Sequence, residues 1–257
     1  MADDARPLEI SKLQEGLASL YLRLNGYLAS GFIVHAPLGE SRTNRTQIDA
    51  LAVRFPNNQE PEREVEPSEY LQVSRNRIDV LVCEVKGGRL GSLQFNDALR
   101  NDSRAVKSIL RWIGLFPDAE VEALVDPVSQ VLQPLKERTP DTFPCHEPPC
   151  RDYRIRGILF APDRRAPRRN QVRYICGDEL VGYIWRCIQS DARRSECSTK
   201  YDFGLWGPYE QIIRFFKQAK VRPSIQQIYA GLVPALGTHT VRHPKLTKKL
   251  EQPEPSG

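Results

Sequence analysis

The segment that decides the fold is "RIDVLVCEVKGG", residues 77–88. Its apolar run from Val80 to Cys83 is typical of a buried strand, and the strand continues through Glu84 and Lys86 before two glycines end it. Alternate side chains of a strand point to the same face, so we expect Glu84 and Lys86 to project together, roughly 6.5 Å apart along the strand. A carboxylate and an ammonium group at the end of a buried strand indicate a functional site.

The sequence offers two acids as the second carboxylate of this site. Asp79 is close in sequence, but it lies an odd number of residues from Glu84 and therefore on the other face of the strand. Asp49 is the only acid of the preceding strand segment "TQIDALAVRF" and is the predicted partner. Asp49, Glu84 and the main-chain carbonyl of Val85 would hold Mg²⁺ or Mn²⁺ and leave room for water and a phosphate oxygen. Lys86 would then orient the attacking water and stabilise charge on the phosphoryl group.

Helix and strand patterns around this segment predict a mixed α/β sheet. Leucines at three- and four-residue steps predict a helix over 8–29, and a second helix is predicted over 93–114. Strands are predicted at "GFIVHAPL", "TQIDALAVRF" and "YRIRGILFAP". Strands joined directly pair antiparallel, and strands joined through a helix tend to be parallel. We therefore expect a mixed central β-sheet flanked by helices.

Composition shifts along the chain predict its domain organisation. One α/β domain is expected over 1–190, with insertions at about 56–77, which lacks any period, and at about 116–150, which is rich in proline. Helical patterns continue in 191–236, which we expect to be a helical C-terminal extension. Residues 237–257 are predicted to be a disordered basic tail.

Charge and hydropathy restrict the partners of the protein. The chain has 257 residues, a net charge of +5 and a pI near 8.9, which mildly favours a polyanionic partner. It contains no run of 18 apolar residues, and its N-terminus, "MADDARPLEI", does not resemble a signal peptide. The sequence therefore predicts no membrane partner and a cytoplasmic location.

A basic loop follows the last predicted strand of the sheet. The segment "DRRAPRRNQVR" contains four closely spaced arginines between Asp163 and Asn170, which suit phosphate contacts with nucleic acid, and a solvated surface loop is the alternative. The candidates for nucleic-acid binding are Arg164, Arg165, Arg168 and Arg169.

The motif "CHEPPC" at 145–150 offers three zinc ligands, Cys145, His146 and Cys150. A structural zinc site takes four ligands, and the sequence has no well-spaced fourth. Adjacent cysteine and histidine side chains are also awkward ligands for one tetrahedral ion. Zinc is therefore not expected here.

The order of a first-helix acid, "GYL", "TQIDALAV", "VLVCEVKGG" and a following helix resembles the PD-(D/E)xK nuclease superfamily over roughly residues 9–115. The resemblance implies a restriction-endonuclease-like core, with Asp49 as the metal-binding aspartate, Glu84 as the second acidic ligand and Lys86 as the catalytic lysine. Two departures stand out. Ile48 replaces the proline of the family motif, and the gap of 35 residues from Asp49 to Glu84 requires a long insertion.

Members of the superfamily often add a glutamate from the first helix. Glu15 fits this role by its distance from "GY" at positions 26 and 27, although it lies opposite the leucine stripe. Glu9 lies nearer the stripe but at the start of the helix. The resemblance favours Glu15 as the auxiliary acid.

These observations predict a metal-dependent nuclease that hydrolyses phosphodiester bonds, with DNA favoured as substrate and restriction, repair or defence as its role. The alternative is a catalytically inactive nuclease-fold protein that acts as a nucleic-acid-binding or assembly subunit. Cleavage of both strands of a duplex would favour a homodimer or a subunit of a larger complex.

Overall fold

The computed structural model describes residues 9–34, 46–58, 65–88, 92–133, 142–168, 172–189 and 207–233. The described elements, in chain order, are α1 (Ile10–Leu24), β1 (Leu28–Val34), β2 (Thr46–Arg54), a 3-10 turn (Glu69–Leu71), β3 (Ile78–Val85), α2 (Asp97–Asn101), α3 (Ser103–Ile113), α4 (Asp118–Val131), β4 (Cys145–His146), β5 (Tyr153–Ala161), β6 (Ile175–Cys176), α5 (Gly177–Ile188), α6 (Glu210–Gln218) and α7 (Ile225–Leu232).

The strands form one mixed sheet in the order β1-β2-β3-β5-β4, with β6 beside β5. β1, β2 and β3 pair antiparallel, as directly connected strands do, whereas β5 is parallel to β3 because the chain crosses over through helices between them. The prediction of a mixed central sheet is confirmed.

Helices cover both faces of this sheet. Alternate residues of β3 enter two apolar layers, with Leu81 and Cys83 facing α1, α5, α6 and α7, and Val80 and Val82 facing α3 and α4. Burial on both faces explains why the centre of β3 is a continuous apolar run. The C-terminal helices α6 and α7 share the core of α1, so they complete one helical layer of the fold.

The predicted helices differ from the observed ones in their ends. α1 stops at Leu24, because Gly26 adopts φ +83°, a left-handed conformation that ends helices. The helix predicted over 93–114 is two helices, α2 and α3. Asn96 caps the first, and Asp102 separates them and caps the second, since its side chain accepts a hydrogen bond from a backbone N–H group of α3.

The two predicted insertions are also more structured than expected. The interval 116–150 contains α4, which buries Val121, Leu124 and Val128 at helical spacing, and β4, which pairs with β5. It therefore contributes to a helical layer and to the sheet, and its prolines, one of them inside α4, were a poor guide. In the interval 56–77, Leu71 is fully buried, so this part of the chain packs against the core.

Some predictions concern residues outside the described ranges. These are the tail 237–257, residues 191–206 and 234–236 of the extension, and Arg169. Among the helices that the structure describes, none combines the length and apolar character needed to cross a membrane.

Candidate active site

The ends of two neighbouring strands bring the predicted site residues together. The β2–β3 pairing runs as far as Ala50 opposite Cys83, so the next step of the same register sets Asp49 against Glu84. The backbone N–H of Lys86 donates to a carbonyl of β5 at 2.7 Å, which extends the parallel pairing by one residue. Asp49, Glu84 and Lys86 therefore lie at one edge of the sheet, as the sequence predicts.

Hydrogen bonds hold each of these charged groups in place. The Oδ2 atom of Asp49 accepts from the backbone N–H of Val85 at 2.7 Å. Glu84 accepts from the Lys86 ammonium through Oε1, and from the backbone N–H of Asn96 through Oε2 at 2.7 Å. Since Asn96 is also the N-cap of α2, the start of that helix is tied to Glu84. The carboxylate of Glu84 is thus fixed from two sides.

A β-bulge lies at Asp49. Gly31 of β1 opposes both Asp49 and Ala50 of β2, because the register shifts by one residue at this point. As a result Ile48 and Leu51 both pack in the α3–α4 layer, although strict alternation would place them on opposite faces. Bulges next to active sites re-aim side chains. Gly31, an isolated glycine within β1, was the available sequence signal for this bulge.

The acidic groups of the site perturb one another. Burial raises the pKa of Asp49 and of Glu84, and the Lys86 ammonium works in the opposite direction on both. Burial also raises the pKa of Glu15, and the charge of Asp49 raises it further. Glu15 therefore lies within electrostatic range of Asp49, while Glu9, the alternative acid, is exposed at the N-cap of α1. Clustered carboxyl groups with perturbed pKa values indicate a functional site.

The donor atoms of this site suit a hard divalent cation. Carboxylate oxygens of Asp49 and Glu84 and the carbonyl of Val85 are the oxygen ligands that Mg²⁺ and Mn²⁺ take. In the part of the chain that the structure describes, no three His, Cys, Asp or Glu side chains group closely enough to hold a metal ion by themselves. A site of two carboxylates and a carbonyl fits Mg²⁺ in particular, because this ion keeps several of its waters.

A groove of about 820 Å³ lies at the start of the basic loop that follows β5. Arg164, Arg165 and Arg168 line it together with residues at the starts of α5 and α7. Asp163 and Asp178 also line the groove, so its lining is of mixed charge, with three arginines and two aspartates. The predicted arginines thus share one concave surface.

Two residues of the site were missed by the sequence analysis. Asn96 was identifiable as a helix N-cap, and Asp163 follows β5 at the same edge of the sheet as Glu84. Since β3 and β5 are parallel, residues that follow their carboxyl ends meet at one edge. That rule was the available signal for Asp163.

Comparison of the chain with protein-family models, with curated proteins and with solved structures found no match.

Adding Mg²⁺ or Mn²⁺ is expected to stabilise the folded protein, because the cation relieves repulsion between Asp49 and Glu84. The gain should be about 1.4 kcal/mol at ten times the dissociation constant, measured as a thermal shift. Protons compete for carboxylates whose pKa is raised, so the shift should begin to decline on acidification at a higher pH than ordinary carboxylates would give. Asp49→Asn should lose the shift and Asp118→Asn, an exposed control, should keep it. Equal shifts in both variants would contradict the assignment.

Proposed function

We propose that this protein is a metal-dependent nuclease of the PD-(D/E)xK type that hydrolyses phosphodiester bonds in DNA. The observation that carries the proposal is the convergence of Asp49, Glu84 and Lys86 at one edge of the sheet, with Glu15 in electrostatic range. The order α1-β1-β2-β3, followed by helices and a parallel β5, supports a restriction-endonuclease-like core.

In this proposal Asp49, Glu84 and the Val85 carbonyl would hold the cation. A bound Mg²⁺ or Mn²⁺ would polarise a phosphoryl oxygen and lower the pKa of a water ligand. Lys86 supplies a positive charge beside these carboxylates, where it donates hydrogen bonds to the attacking water and to the phosphoryl oxygens. Glu84 directs the ammonium group, and its own bond to Asn96 limits how far both can move.

Glu15 is proposed as an auxiliary acid. Its raised pKa brings the carboxyl group nearer to neutral pH, where proton transfer to or from a reacting group is most effective. The half-buried position on α1 keeps the carboxyl group open to water and to substrate protons. Glu15 would therefore assist Asp49 without being required to bind the cation.

The arginine groove and the net charge of +5 support a nucleic-acid substrate. Guanidinium groups bind phosphate oxygens with paired hydrogen bonds, and such contacts position a strand without reading its sequence. The preference for DNA and a role in restriction, repair or defence rest on the superfamily resemblance. A homodimer is part of the proposal where both strands of a duplex are cut.

The proposal is tested by incubating the protein with plasmid DNA and with single-stranded DNA in the presence of Mg²⁺ or Mn²⁺. We expect cleavage that stops when EDTA removes the metal. Undiminished cleavage in EDTA would overturn the metal-dependent mechanism. Metal-independent binding of DNA without any cleavage would instead favour the second function, a nuclease-fold protein that binds nucleic acid but does not cut it.

Replacing Arg165 and Arg168 together by alanine should weaken DNA binding uniformly across sequences, because phosphate contacts are sequence-independent. The log of the association constant decreases with log salt concentration, and the magnitude of this slope should decrease by about 1 for each phosphate contact removed. Arg111→Ala is the matched control, since this arginine is exposed on α3 and paired with Asp118. Fluorescence anisotropy at several salt concentrations gives the slope. A double variant that binds like the control would show that the groove is not the DNA surface.

A further inference from the structure

A network of polar side chains connects the segment after Lys86 to distant parts of the chain. Asp163 accepts two hydrogen bonds at Oδ2, from the backbone N–H of Gly88 at 2.6 Å and from Nε2 of Gln14 at 3.0 Å. The same Nε2 donates to the hydroxyl of Tyr229 at 2.9 Å. One carboxylate therefore links the end of the candidate catalytic strand to α1 and, through Gln14, to α7.

The chain that follows Lys86 comes close to this network at Gly87, although both glycines are exposed. Gln14 is only 3 % exposed. A Cβ atom on Gly87 would lie 2.8 Å from Oε1 of Gln14, so any larger residue would displace that amide. Gly88 adopts φ +82°, which glycine tolerates and other residues rarely adopt. The close approach to Gln14 at Gly87 and the left-handed backbone at Gly88 thus favour glycine at both positions.

Asp163 also begins the arginine loop. Arg164 and Arg165 follow it directly, and Asp163 lines the groove that they form. The bond from Gly88 therefore joins the groove to the strand end that carries Glu84 and Lys86.

We propose that Asp163 is a positioning residue, which holds the Lys86–Gly88 segment in register with Glu84 and couples it to the arginine groove. This inference rests on the proposed nuclease function. Asp163 acts through Gly88 and does not touch the reacting atoms. A misplacement of a catalytic group by about 1 Å can lower the rate about 100-fold. Losing the Asp163–Gly88 hydrogen bond should therefore slow catalysis, although every group that takes part in the reaction remains.

The test compares Asp163→Ala with Asp163→Asn in single-turnover DNA cleavage. Alanine removes both hydrogen bonds, and the maximal rate should fall roughly 10- to 100-fold with a smaller change in the DNA concentration at half-maximal rate. Asparagine keeps an oxygen that accepts from Gly88 and Gln14, so it should restore most of the rate. An asparagine variant as slow as the alanine variant would show that the charge is needed, and would overturn a positioning role. Wild-type rates in the alanine variant would also overturn it.

Amide hydrogen exchange at Gly88 provides a readout that does not depend on catalysis. Protection is expected in the wild type and in Asp163→Asn, and it should be lost in Asp163→Ala. If the Gly88 amide is protected in a wild-type protein that does not cleave DNA, the nuclease proposal is refuted, but the Asp163–Gly88 hydrogen bond is supported. Equal protection of the Gly88 amide in all three proteins would show that Asp163 does not hold Gly88.

Gln14→Met serves as a second variant if Asp163→Ala does not fold. It conserves volume and removes one of the two donors to Asp163. The maximal rate of cleavage should fall severalfold in the folded protein. An unchanged rate would overturn the proposal.

Discussion

Replacing Lys86 by methionine should lower the rate of DNA cleavage by about 100- to 1,000-fold while the fold is retained, which is the usual cost of removing one preorganised donor from a reacting oxyanion. Methionine keeps most of the aliphatic side chain and deletes the ammonium group. That group is part-buried against Glu84, whose side chain is 8 % exposed. In such a part-buried site, water cannot fully replace the electrostatic stabilisation that the ammonium group provides.

The same substitution should change the pH dependence of cleavage. The ammonium of Lys86 opposes the effect of burial on the pKa of Glu84 and of Asp49, so its removal lets both pKa values rise further. The acid limb of the pH–rate profile should therefore move to higher pH in Lys86→Met. Single-turnover rates at saturating Mg²⁺, measured across pH, give both the fall in rate and the displacement of this limb.

Lys107→Met is the matched control for this experiment. Lys107 is also a part-buried lysine in an ion pair, 2.6 Å from Glu122, but the pair joins α3 and α4. We expect cleavage at the wild-type rate in this variant. Metal-dependent cleavage that survives both Lys86→Met and Asp49→Asn would show that the chemistry occurs elsewhere on the chain.

Replacing Asp79 by asparagine should destabilise the protein by about 3–5 kcal/mol, the usual cost of leaving a buried charge without its partner. Asp79 is fully buried, and its Oδ2 lies 2.7 Å from guanidinium nitrogens of both Arg154 and Arg156. The hydroxyl of Tyr27 donates to the same oxygen at 2.6 Å. Arg156 is 2 % exposed, so its charge has no access to solvent once the carboxylate is gone.

The Asp79 cluster also predicts how stability changes with pH. Burial alone would raise the pKa of Asp79, but the charges of Arg156 and Arg154 and their hydrogen bonds outweigh it and lower the pKa below 3.8. A carboxyl group whose pKa is lower in the folded state adds stability above its unfolded pKa, and that stability is lost as pH falls through the folded pKa. Wild-type stability should therefore decrease below about pH 4, and Asp79→Asn should lack this part of the decrease.

Thermal and urea unfolding measure the loss of stability in Asp79→Asn. We expect its melting temperature to be lower than that of the wild type by on the order of 10 °C. Asp97→Asn is the control, because its side chain is 80 % exposed and its pairing with Arg100 lies at the surface. That control should remain within about 0.5 kcal/mol of the wild type. A variant of Asp79 that unfolds like the control would show that the buried ion cluster gives no net stabilisation.

Several features of the fold followed from local patterns. The apolar run at Val80 predicted a buried strand, and β2 begins and ends within one residue of its predicted bounds. Helix ends were predicted less well. Asp102 divides a stretch that has one continuous apolar stripe, because a capping side chain competes with the helix at a single position.

The sequence by itself determined which charges share a face. Side chains alternate along a strand, so Glu84 and Lys86 had to project together and Asp79 had to lie on the other side, where Arg154 and Arg156 neutralise it. This alternation is a property of the local backbone and needs no knowledge of the neighbouring strands.

Only the tertiary structure decided how that face becomes a site. Three features join segments that are far apart in the chain. They are the bulge at Asp49, the hydrogen bond from Asn96 to Glu84 and the hydrogen bond from Gly88 to Asp163. Local signals such as the glycine of β1 and the N-cap Asn96 mark where these features can form, but strand register and the crossing of separate elements decide which groups meet. Hydrogen bonds between distant groups exist only after the sheet has paired, because their geometry is set within a few tenths of an ångström by that pairing.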